Sequence, residues 1–193
     1  MNPAKDALRR TLRERRRLLD PALRAAETAA TAAALATLVR LRPRVAVYLA
    51  TGAELCVDAA VTAAWARATA VWAPRVAGDG LEWIAITGPA DLTTGYRGIR
   101  EPRQDLPAGP LPTACLVLVP GTGFAPAGAR LGQGGGFYDR TLATLDPASL
   151  AVGIGFACQW LTELPCEPHD QPLDATLIAG RLHPGTGRPR SGR

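Results

Sequence analysis

Leu116-Val117-Leu118-Val119 is an unbroken run of four aliphatic residues, closed by Pro120. A strand made from it has no polar side, so it needs apolar cover on both faces, as strands have inside a mainly parallel sheet flanked by helices. Val45-Ala46-Val47-Tyr48-Leu49 and residues 151–157 have the same character. Residues 70–76 read as another strand, 81–86 as a half-exposed one, and 175–178 as the last. Residues 58–68 have a helical pattern, with Val61, Trp65 and Ala68 on one side, and a further helix starts near Phe137. Strands alternating with helices predict an α/β domain with a mainly parallel, doubly wound sheet.

The chain starts with a helical pair. Leu8, Leu12, Leu19 and Leu23 fall on one helical stripe, and Lys5, Arg9 and Arg13 on another. Asp20-Pro21 breaks the pattern, with Asp suited to cap the next helix and Pro to its first turn. That helix runs to about Leu41 and is closed by Pro43. Residues 87–113, rich in Gly and Pro, read as long loops. One domain is expected over residues 1–182, with 183–193 a disordered basic tail.

Charge is unevenly placed. The net charge is +5, but the excess sits in residues 1–24 and 181–193, and the body between is mildly acidic. Local basicity suits a local anion better than a polynucleotide track, and the few aromatics do not interleave with the arginines. The longest apolar stretch, 29–39, is short for a membrane span, and the N-terminus lacks a secretory pattern. A cytoplasmic monomer acting on small molecules, with no nucleic acid or membrane partner, is the expectation. Cys56, Cys115, Cys158 and Cys166 include no CxxC pair. Cys158, Cys166 and His169 lie close in sequence, but free thiols in a reducing compartment are the expected state.

The segment Arg130-Leu131-Gly132-Gln133-Gly134-Gly135-Gly136-Phe137-Tyr138-Asp139-Arg140 carries the strongest chemical signal. Glycines between a buried strand and a helix let backbone N–H groups converge on an anion, and the helix start and Arg130 add positive charge. This is a phosphate cradle, although neither a Gly-Lys-Ser/Thr loop nor a dinucleotide fingerprint. Asp139 beside a phosphate calls for a cation, and Mg²⁺ bridges carboxylate and phosphate oxygens. Asp170 is a second candidate ligand. Asp139 as a first-turn helix acid and Asp170 as a turn former are equally open. Lys5, Arg9 and Arg13 either reach the same phosphates or form a solvated face. Glu54, just past a strand end, suits an amino-pterin-like or guanidine-like group. Ser149 and Ser191 have no nucleophile-elbow context, which excludes a serine hydrolase of that type.

These elements together resemble the 5-formyltetrahydrofolate cyclo-ligase family. The resemblance rests on Ala4-Lys5 with Leu8-Arg9, Tyr48-Leu49 with Glu54, Glu101-Pro102, and Val119-Pro120 through Phe124. It rests further on Gly128 through Arg140, and on Leu164-Pro165 with Glu167, His169-Asp170 and Asp174. It implies a Mg²⁺-dependent reaction in which ATP phosphorylates the formyl oxygen on N5 of the folate. N10 then attacks the formyl carbon and phosphate leaves, giving 5,10-methenyltetrahydrofolate, ADP and phosphate. It also implies that Lys5, Arg9, Arg130, Leu131, Gly132, Gln133, Gly134, Gly135, Gly136, Phe137 and Tyr138 hold ATP. Arg130 and Tyr138 would take the catalytic role. Leu49, Glu54, Gln133 and Phe137 would contact the folate, and Asp139 and Asp170 would hold Mg²⁺. The sequence departs from the family pattern at Pro126, Gln133 and Phe137. Those changes leave two alternatives in view: a nucleotide-binding paralog with a changed or lost folate reaction, and a nucleic-acid-binding module.

Overall fold

A computed structural model describes residues 2–95 and 99–187. Two helices, α1 (Pro3–Arg17) and α2 (Pro21–Arg40), precede the first strand, β1 (Arg44–Ala46). Helix α3 (Asp58–Trp65) leads to β2 (Ala70–Ala77), β3 (Gly80–Ile86), β4 (Leu92–Thr94), β5 (Arg100–Pro102) and β6 (Ala108–Gly109). Then come β7 (Leu116–Pro120), β8 (Gly123–Ala125), β9 (Ala129–Leu131), α4 (Phe137–Ala143), β10 (Leu150–Gly155), β11 (Ala175–Ile178) and β12 (Arg181–Pro184). The main sheet runs β12-β11-β10-β7-β1-β2-β3-β6. The strands from β11 to β2 are parallel, and β12, β3 and β6 add antiparallel edges.

The apolar runs sit where both faces are covered. Val45, Leu116, Leu118, Val152 and Ile154 pack with Leu35 and Val39 of α2 and Ala60 and Ala64 of α3. Ala46, Val117, Val119 and Ala151 face the other way, onto Leu142, Leu145 and Phe124. This alternation about one sheet is the doubly wound arrangement expected. Asp20 caps α2 as its type and position demand, its Oδ1 accepting from the N–H groups of Ala22 at 2.9 Å and Leu23 at 3.0 Å.

Several local readings differ from the structure. Residues 87–113 contain the β4–β5 hairpin and the edge strand β6, because short strands hold among turn residues once a sheet edge pairs with them. The glycine-rich stretch before Gly132 contains the β8–β9 hairpin. β11 is not last: β12 returns antiparallel to it, so the expected tail starts inside the sheet at His183 and Pro184. Residues 188–193 lie outside the described residues. α2 is long and apolar enough to cross a membrane by length and composition, contrary to the shorter stretch read from sequence. One such helix is weak evidence, and here Glu27, Thr31, Leu35 and Val39 form a buried stripe, with Leu35 and Val39 packed into the core.

Candidate functional site

A cleft of about 580 Å³ opens at the carboxyl ends of β1, β7 and β2, where an open α/β sheet places ligands. Every site residue expected from sequence lines it: Lys5, Arg9, Leu49, Glu54, the loop from Arg130 through Tyr138, Asp139 and Asp170.

Arg130 is placed by the β8–β9 hairpin, where it pairs with Phe124. Its side chain is 3% exposed, and Nη2 forms an ion pair with Asp139 Oδ1 at 2.8 Å. The same oxygen accepts from the Gln171 N–H at 3.3 Å. The guanidinium carbon lies 5.9 Å from the centre of the Tyr138 ring. Two buried polar atoms have no partner here, Arg130 Nε and the Tyr138 hydroxyl. Burial pushes the Tyr138 phenol well above its usual pKa, so it stays a proton donor at neutral pH.

The glycine loop is held from outside by arginines. Arg9 Nε donates to the Gly132 carbonyl at 3.0 Å, and Arg140 Nη2 to the Gly135 carbonyl at 2.8 Å. Arg13 grips the Gln133 side chain, with Nη2 2.6 Å from Oε1. Gln133 Nε2 donates to Glu54 Oε1 at 3.3 Å, and Glu54 Oε2 accepts from the Thr51 N–H at 3.0 Å. Gly136 precedes α4 with φ +67°, a conformation that side-chain-bearing residues adopt at a cost.

The α1 cations divide: Lys5 and Arg9 line the cleft, while Arg10, Arg13, Arg15 and Arg17 are exposed. Lys5 and Arg16 share the buried side of the helix with Leu12. Lys5 is 4% exposed, and Nζ lies 2.7 Å from Glu167 Oε2 and 2.6 Å from Asp170 Oδ2. Burial pulls the Lys5 pKa down, but hydrogen bonds to Asp170 and Glu167 outweigh it and the net shift is upward. The hydrogen bond from Lys5 holds Glu167 below the usual carboxylate value. The linkage has two signs. The raised Lys5 pKa stabilises the fold below 10.5 and loses that effect as pH rises through the folded value; the lowered Glu167 pKa stabilises above 4.5 and loses it as pH falls. The stability difference between wild type and Lys5→Met, from urea midpoints, is therefore expected to be flat from about pH 5.5 to 9.5 and to shrink outside that window.

Other lining residues escaped the sequence. Pro74, Val76, Leu81 and Ile99 give the cleft an apolar surface, Arg75 and Arg100 stand among them, and Glu101, singled out in sequence only as part of the resemblance, lines it too. A half-exposed strand shows nothing in its residue types to mark such a role. Glu167 and His169 complete a group with Asp170 whose ligand atoms lie within 4.8 Å of one another. Both sat in the Leu164–Asp170 block, and spacing alone did not separate them from turn residues. The cysteines stay out of this group, and all four are free.

A family profile described as the 5-formyltetrahydrofolate cyclo-ligase family matches residues 1–179. The chain belongs to this family. A 5-formyltetrahydrofolate cyclo-ligase of Mycolicibacterium smegmatis is 31% identical over 189 residues, covering 94% of this chain and 97% of that protein. One from Escherichia coli is 30% identical over 178 residues, covering 89% and 98%. The NMR structure of Aquifex aeolicus 5,10-methenyltetrahydrofolate synthetase aligns with a TM-score of 0.79 at 26% identity, covering 98% of this chain and 94% of that one. Within the family frame, the glycine loop and its flanking charges occupy one continuous cleft.

Proposed function

We propose that the chain closes 5-formyltetrahydrofolate to 5,10-methenyltetrahydrofolate at the expense of ATP, with release of ADP and phosphate. The observation that carries this reading is one cleft that combines a cationic set with an apolar one. Lys5, Arg9 and Arg130 suit a polyphosphate, and Leu49, Pro74, Val76, Leu81 and Phe137 suit the flat apolar part of a folate. The two unpartnered buried donors, Arg130 Nε and Tyr138 OH, suit acceptor oxygens of a ligand.

In this reading the guanidinium groups of Arg9 and Arg130 and the loop from Leu131 to Phe137 hold the nucleotide. Arg130 and the Tyr138 hydroxyl offset charge as the phosphoryl group moves. Glu54, with Leu49, Gln133 and Phe137, orients the folate so that N10 faces the formyl carbon. Positioning of this kind accounts for much of the barrier reduction in a ring closure. Mg²⁺ fits the oxygen donors of Asp170 and Glu167, which already hold a cation in the form of the Lys5 ammonium. Asp170, joined by Glu167, would hold the metal, which when bound would offset phosphate charge; Asp139, the other ligand expected from sequence, is ion-paired with Arg130 and is not one of that close group.

The test is direct. Purified protein with 5-formyltetrahydrofolate, ATP and Mg²⁺ is expected to produce methenyl absorbance in the near ultraviolet, and omission of any one component to abolish it. A folded sample that binds nucleotide without turnover would overturn the reading.

A further inference from the structure

Lys5 is the only lysine in the chain; every other member of its 22 Lys and Arg residues is an arginine. It is also among the most deeply buried of the charged groups at the cleft, clamped between two carboxylates. We propose that its ammonium is a built-in occupant of the cation seat between Glu167 and Asp170. Lys5 and a divalent cation then exclude each other until a phosphate draws Lys5 away. The role of the phosphate rests on the proposed function; the exclusion does not.

Part of the seat is held by contacts other than Lys5. Asp170 Oδ2 accepts the Glu167 N–H at 2.7 Å, which fixes the Asp170 carboxylate to the Glu167 backbone. His169 Nε2 stands 3.8 Å from Glu167 Oε2 and 3.8 Å from Asp170 Oδ1, and all three side chains line the cleft. A separate feature points to an anionic ligand in this same cleft, the phosphate that would draw Lys5 away: Arg130, with its side chain 3% exposed, keeps an unpartnered Nε donor there. Hard oxygen donors select a hard cation, and two carboxylates with an imidazole suit a divalent one.

Residue type explains the exchange. An ammonium is a compact point charge on a flexible four-carbon stem, so it can fill a metal-sized space and swing to a nearby phosphate. A planar guanidinium fork does neither so well. A divalent cation and an ammonium on the same two oxygens repel strongly in a partly dry cleft, so one must leave. Metal and nucleotide therefore bind with positive coupling, each raising the affinity for the other by the same factor.

The test uses the full chain without nucleotide or folate, and Mn²⁺ as the probe, titrated by electron paramagnetic resonance. Lys5→Met is expected to bind Mn²⁺ at least about tenfold more tightly than wild type, a difference an electrostatic exclusion of this kind readily supplies. Lys5→Arg is expected to show no such gain, and Lys5→Met combined with Glu167→Gln to lose it. A second measurement uses wild type alone, in case Lys5→Met fails to fold. Acylation of the single lysine by an amine-reactive ester, read by mass spectrometry, is expected to accelerate several-fold as Mn²⁺ saturates. Equal Mn²⁺ affinity in wild type and Lys5→Met, or Mn²⁺ binding with an unchanged acylation rate, would overturn the proposal. Neither measurement involves turnover, so a failed ring-closure assay would remove the proposed function and leave this result standing.

Discussion

Replacing Arg130 by alanine is expected to lower kcat/KM for ring closure by about a thousandfold, roughly 4 kcal/mol of lost transition-state stabilisation. The size follows from where the group sits. Its side chain is nearly fully buried, and one end is tied to Asp139. Its Nε has no protein partner. A guanidinium held this way needs no reorganisation when charge develops beside it, which is what makes such a donor effective. Alanine also strands the Asp139 carboxylate, so some stability is lost with the activity. Two further variants separate the effects. Arg130→Lys keeps the charge but loses the fork, and is expected to fall by about a hundredfold. Adding Asp139→Asn to Arg130→Ala relieves the stranded carboxylate, and is expected to recover the urea midpoint without recovering turnover. If Arg130→Ala turns over within about threefold of wild type, Arg130 is a structural residue and the catalytic role passes elsewhere.

What the sequence made legible follows the strength of local signals. The run 116–119 could only be an interior strand, and it lies at the middle of the sheet between β10 and β1. The glycine loop was legible because its backbone requirement is written directly in residue type. The inner face of α2 was not. Alanine surrounds the helix on all sides, and the buried stripe includes Glu27 and Thr31. Glu27 is stabilised there by accepting the Ala157 N–H at 2.9 Å, a partner far along the chain that no periodicity reveals. The orientation of α1 was hidden for the opposite reason. Its leucine stripe suggested an apolar inner face, and Leu12 is fully buried there, yet Lys5 and Arg16 turn inward beside it. Only the carboxylates at 167 and 170 make that favourable for Lys5. The hairpins β4–β5 and β8–β9 lay under Gly and Pro signals that ordinarily mark loops, and pairing partners decided the outcome.

Gly128→Ala is expected to destabilise the protein by at least about 3 kcal/mol, lowering Tm by roughly 10 °C for a chain of this size. Gly128 has φ +80°, and a Cβ there would stand 2.2 Å from the Leu173 carbonyl oxygen and 2.8 Å from its nitrogen. Both contacts are backbone, so no rotamer change relieves them. The conformation alone does not account for this. Ala127, its neighbour, holds φ +62° with a side chain in place, so the cost of that region, about 1 kcal/mol, is tolerated at this turn. The decisive term is the junction. The Leu173 N–H donates to the Gly128 carbonyl at 2.9 Å, the Gly187 N–H to the Leu173 carbonyl at 3.2 Å, and the Thr186 N–H to the Ala127 carbonyl at 3.1 Å. A methyl at 128 forces these segments apart and breaks bonds that tie the β8–β9 hairpin, and with it Arg130, to the chain following Asp170. Gly78→Ala is the control. Gly78 has φ +57° but open space around its missing Cβ, so only the conformational cost of about 1 kcal/mol is expected. Equal losses for the two variants in urea unfolding would show that conformation, not the junction, sets the cost. A much larger loss at 128, accompanied by reduced turnover at temperatures where the variant stays folded, would show that the hairpin is positioned by that contact.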